Sequence, residues 1–74
     1  MFNAMNHSIS IILHRPGYTN LVKRAEVRGL DEARAIAEDW SWARASEGVL
    51  IIQDAEGYER DRKEEGVWRF ADID

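Results

Sequence analysis

Between Gly29 and Gly48 the chain reads GLDEARAIAEDWSWARASEG, and its apolar positions recur with the period of a half-buried helix. With Ala33 set at zero and each residue adding about 100°, Leu30, Ile36, Ala37 and Trp40 fall within about 60° of it. Gly29-Leu30-Asp31-Glu32 has the form of a capping box with Gly in place of Ser. Asp31 and Glu32 suit the positive end of the helix dipole, and Gly48 suits a C′ stop. Such a stripe needs a sheet to cover.

The rest of the pattern is strand and turn. His7 to Arg15 (HSISIILHR) alternates around Ile9, Ile11 and Leu13 and predicts a first strand. Pro16-Gly17 forces a turn, and Tyr18 to Arg28 continues as a second strand with Leu21, Ala25 and Val27 on one face. Gly48 to Asp54 (GVLIIQD) is a continuous apolar run of strand length, as expected of a central strand beneath the helix. After a turn at Ala55-Glu56-Gly57, Tyr58 to Lys63 (YERDRK) has strand spacing but almost no apolar content. It predicts a solvent-exposed edge strand guarded by charge. A turn at Glu64-Glu65-Gly66 leads to a last short strand, Val67 to Phe70, before an acidic tail. The order ββαβββ predicts an α+β domain, a mostly antiparallel sheet packed on one helix. Its core is expected from Leu30, Ile36, Ala37, Trp40, Leu50, Ile52 and Trp68.

Length and charge narrow the reading. Seventy-four residues make one small domain, 1–74, whose first six residues lack periodicity and are expected to form a flexible tail, with Met5 a second possible start. No cysteine is present, so neither disulfides nor thiolate metal sites can reinforce the core, and a reducing, cytoplasmic setting fits. The longest apolar run, Val49 to Ile52, is far too short to span a membrane. A net charge of −4 disfavours a general nucleic-acid binder acting through counterion release and leaves protein partners as the expectation.

Little chemistry is legible. His7 and His14 lack a second ligand at metal spacing, and the adjacent carboxylates Asp31/Glu32, Glu38/Asp39 and Glu64/Glu65 point to different sides of their elements. No serine sits in a nucleophile elbow, and the five glycines are spread singly through turns rather than forming a phosphate loop. The expectation is therefore no catalysis and no metal or organic cofactor.

Two features point to binding. Trp42 lies about 180° around the helix from Ala33, where it serves as an interface anchor unless the ring folds back on the domain. Along YERDRK, strand alternation sets Tyr58, Arg60 and Arg62 on one face and Glu59, Asp61 and Lys63 on the other. Paired arginines beside a tyrosine can grip a carboxylate-rich or phosphate-rich partner.

VRGLDEARAIAEDW, EGVLIIQDAEGY and KEEGVWRF, together covering most of residues 27–70, resemble the helix, central strand and terminal hairpin of small phage-encoded anti-CRISPR proteins that inhibit type I surveillance complexes. The resemblance implies a ββαβββ fold that acts without catalysis, by occupying the crRNA-guided complex where target DNA would pair, in the bacterial cytoplasm. It carries Arg60, Arg62 and Lys63 over as binding positions, whereas the acidic balance of this chain departs from direct DNA contact. A structural or regulatory domain acting through a protein partner or as a dimer through a sheet edge, and a nucleic-acid-binding module, are the alternatives.

Overall fold

A computed structural model describes residues 6–41 and 48–70. The chain runs β1 (His7–His14), β2 (Leu21–Val27), α1 (Leu30–Ser41), β3 (Val49–Asp54), β4 (Glu59–Glu64) and β5 (Val67–Trp68). This is the ββαβββ order expected. All five strands form one antiparallel sheet in the order β2-β1-β3-β4-β5.

Register decides which residues meet the helix. Leu13 stands between Leu21 and Leu50, Ile11 between Lys23 and Ile52, and Ile9 opposite Ala25. The alternation of β1 therefore sends Ile9, Ile11 and Leu13 under α1, where they are buried with Val27, Leu50 and Ile52. Ala33 and Ala37 complete the buried cluster from above, their small side chains letting the helix lie close to the sheet. Leu30, Ile36, Trp40 and Trp68 pack around this centre half-buried, so four of the seven expected core residues lie at its flanks. The helix begins with an Ala33 N–H to Gly29 C=O bond of 3.1 Å, and Glu32 caps it by accepting the Arg28 N–H at 2.8 Å. That cap reaches one residue further back than a capping box does.

The turns follow their residues. Asp54 accepts the Glu56 and Tyr58 N–H groups, each at 3.0 Å, and so closes the β3–β4 connection. Glu65 and Gly66 have φ of 54° and 83°, the two positive values that a two-residue hairpin between Glu64 and Val67 requires. Gly48 is needed for a different reason: a Cβ there would come within 2.9 Å of both the His14 carbonyl oxygen and a Leu13 methyl group.

Two expectations need correction. The second strand starts at Leu21 rather than Tyr18, because the Tyr18 N–H closes the Pro16-Gly17 turn on the Arg15 carbonyl at 3.1 Å. More consequentially, β4 is no exposed edge strand, for it lies between β3 and β5 and its Asp61 is fully buried. Among the described strands the edges are β2 and the two-residue β5. Trp42, the expected continuation of the helix toward Gly48, the first five residues and the acidic tail lie outside the described residues.

Ile52 is fully buried at the middle of the sheet, between Ile11 and Asp61. Ile52→Ala is expected to cost about 2–5 kcal/mol, lowering the melting temperature by about 10 °C or more in a domain of this size. A thermal melt followed by circular dichroism checks this; an unchanged midpoint would show that Ile52 does not hold the core.

Candidate functional site

A helix about 10–12 Å across cannot cover five strands that span about 19 Å. α1 packs over β1, β2 and β3. The β4 flank is closed instead by polar side chains. Asp61 accepts Arg34 Nε at 2.6 Å on one carboxylate oxygen, and the N–H groups of Arg62 at 2.7 Å and Phe70 at 3.1 Å on the other. Arg34 also pairs with Asp31 at 3.0 Å. One guanidinium contact and two backbone donors give both oxygens of the buried carboxylate hydrogen-bond partners.

A second bridge lies beside the first. Glu38 Oε2 accepts the Trp68 indole N–H at 2.8 Å and the Lys63 ammonium at 3.0 Å. Lys63 Nζ also sits 5.8 Å from the Trp68 ring centre, and the Arg34 guanidinium 6.0 Å from it. The indole bond first, then the Lys63 contacts, hold the Glu38 carboxyl below its ordinary value. Of the expected binding cations, Lys63 is therefore engaged within the fold.

Among the described residues no helix lies on the opposite face of the sheet. Strand alternation puts Ser8, Ser10, Ile12, Val22, Arg24, Val49, Ile51, Arg62, Glu64 and Val67 there. Cross-strand register aligns Val22, Ile12, Ile51 and Arg62 in one row across four strands. Val49 lies two residues from Ile51 along β3, and Val67 stands opposite Glu64. Val22 and Val67 are 55% and 57% exposed, and Ile12, Val49 and Ile51 are half-buried. The row ends in a charge cluster. Arg62 binds Glu59 through Nε at 2.8 Å and through a terminal nitrogen at 2.9 Å, and reaches Glu64 at 2.9 Å. Arg69 adds a contact to Glu64 at 2.9 Å. These carboxylates hold the Arg62 guanidinium still more firmly charged, while Arg62 holds both carboxyls low.

The expected site residues separate accordingly. A bulge between Ile52 and Gln53 sets Gln53 opposite Glu59, so Arg60 and Arg62 are not presented as an uninterrupted pair. Arg60 is largely exposed and meets Asp54 only at 3.6 Å, and Tyr58 is 67% exposed at the β3–β4 turn. Trp42 lies outside the described residues. The apolar row was not anticipated as a surface. Its signal is present in the sequence: Val49 to Ile52 and Ile11 to Leu13 are apolar without alternation, which places apolar side chains on both faces of a strand.

A cavity of about 550 Å³ opens where the β1 start, the α1 start and the β3–β4 turn meet, with Ile9, Leu30 and Ile52 inside and His7, Asp54 and Arg60 around it. His7 and its neighbour Ser8 face opposite sides of the sheet and cannot act as base and nucleophile together. Among the described residues no group of three His, Asp or Glu is placed to hold a metal ion. No described helix is long and apolar enough to cross a membrane. Comparison with family models, with curated proteins and with solved structures finds no match.

The Glu38 bridge yields a pH test. A carboxyl with a depressed pKa in the folded state stabilises the fold above its unfolded value of 4.5, and that contribution disappears as pH falls through the folded value. The melting temperature of the wild type is therefore expected to exceed that of Glu38→Gln at neutral pH, by a small margin because the group is half exposed, and to converge with it in acid. Acid titration of both melting temperatures checks this, and a gap that stays constant with pH would refute it.

Proposed function

We propose that this chain is a non-catalytic binding module that docks another macromolecule, a protein or ribonucleoprotein, through the open face of its sheet. The observation carrying this reading is the row Val22, Ile12, Ile51, Arg62: apolar surface on the wet side of a sheet, ending in the Glu59–Arg62–Glu64–Arg69 cluster. An apolar centre beside charges of both signs is the anatomy of a protein-recognition surface. Since Glu59 and Glu64 already occupy Arg62, this surface offers little net positive charge to a nucleic-acid backbone.

The specific form of the proposal is an inhibitor of type I crRNA-guided surveillance complexes, acting in the bacterial cytoplasm. The general form is supported by the open face, the specific form by the resemblance of residues 27–70 to that group of inhibitors. On this reading the chain occupies the complex by protein contact. Tyr58, exposed at the β3–β4 turn, and Arg60, largely exposed near the start of β4, extend the contact area.

Mixing the purified domain with a type I complex, and following co-elution together with loss of target-DNA binding, tests the specific form. Within a complex that forms, Ile51→Ser is expected to weaken binding by about 2 kcal/mol, roughly thirtyfold, as the loss of a central anchor does. Reversing Arg60 and Arg62 to Glu together is expected to weaken it by about tenfold or more. Normal binding by both variants, with melting temperatures showing them folded, would move the site elsewhere, with Trp42 the next position to replace. Failure to co-elute with any type I complex would remove the specific form.

A further inference from the structure

β2 leaves a seven-residue backbone edge that pairs with no other strand among the described residues. We propose that two copies of this chain join through that edge, antiparallel around Ala25, into one ten-stranded sheet. The inference stands apart from what docks on the open face.

Strand register selects this arrangement. An isologous pair of antiparallel edges has its two-fold axis perpendicular to the sheet, so paired residues share a face and their positions differ by an even number. Only three such registers pair five or more residues of LVKRAEV with a second copy: those centred on Lys23, Arg24 and Ala25. The first sets Lys23 against Lys23, and the second sets Arg24 against Arg24. The third sets Ala25 against Ala25, Arg24 against Glu26 twice, and Lys23 against Val27. It alone places no like charges opposite each other, and it adds two cross-strand ion pairs.

The surroundings permit this pairing. Arg24 makes no ion pair with the described residues, and Glu26 has only a 3.3 Å bond from Ser8, so both are free to pair across the axis. Whichever residues of β2 turn their N–H and C=O groups outward, a register centred on a single residue lets them bond: Ala25 to Ala25 in one phase, Arg24 to Glu26 in the other. Two helices lying above the two β1 strands would be about 14 Å apart, well beyond the 8–10 Å of packed helices, so they do not collide. The charges that would guard a lone edge here select one register instead.

Light scattering on eluted protein, from micromolar to millimolar concentration, tests the proposal. Wild type is expected to pass from monomer to dimer within that range. R24E and E26R, both at exposed positions and checked for folding by circular dichroism, are each expected to weaken the dimer by about tenfold or more, because each sets like charges opposite one another twice. The double variant R24E/E26R exchanges the partners and is expected to restore the wild-type dimer. A chain monomeric at every concentration would overturn the proposal, as would a dimer indifferent to the single reversals or one that the double exchange fails to restore.

Discussion

The width of one helix against five strands governs this fold. A lone α-helix seals about half of such a sheet, so the chain must close the remaining flank by other means or leave it wet. It uses a buried ion pair. Asp61 on β4, reached by Arg34 from the helix at 2.6 Å, substitutes for the apolar side chain that would occupy that position if another helix lay above it. The same carboxylate accepts the Phe70 N–H, which ties the end of the described chain to β4. Glu38, Lys63 and Trp68 repeat the device further along the same flank.

The functional reading follows from how this closure uses up charge. β4 is rich in cations and carboxylates, yet Lys63 and Arg62 are engaged inside the fold, and Arg60 keeps only a long contact to Asp54. What the molecule offers to a partner is therefore less a cationic grip than the apolar row of Ile12, Ile51 and Val22 on the face that no described element covers. Partly exposed apolar side chains aligned across adjacent strands cost solubility, and their contiguity distinguishes them from the scattered single residues of an ordinary surface.

Much of this architecture can be read from local pattern. β1, β3 and α1 declare themselves through alternation, a continuous apolar run and a 3.6-residue stripe, each a property of one segment. β4 does not. ERDRKE looks like a guarded edge because nothing within it reveals that Asp61 will meet Arg34, 27 residues earlier, and be shut away from water. Arg34 in turn lies about 100° from the centre of the helix stripe, at its margin, where only knowledge of the strand order assigns it a partner. The open face was half legible, since the unbroken Val49 to Ile52 run requires apolar groups on both sides of β3, but its lack of cover depends on the chain supplying a single described helix. Trp42 shows the limit of periodicity, which fixes its angle on an ideal helix without saying whether that helix extends so far.

A double-mutant cycle on Arg34 and Asp61 measures the closure directly. Arg34→Met leaves a buried carboxylate without its cation, Asp61→Asn keeps an acceptor for the Arg62 and Phe70 N–H groups while removing the charge, and the double variant removes both charges. If the ion pair closes the β4 flank, urea unfolding gives a coupling energy of about 2 kcal/mol or more, with the double variant more stable than Arg34→Met alone. Additive losses, with coupling under about 0.5 kcal/mol, would mean that the two side chains do not depend on each other and that the flank is held by something else.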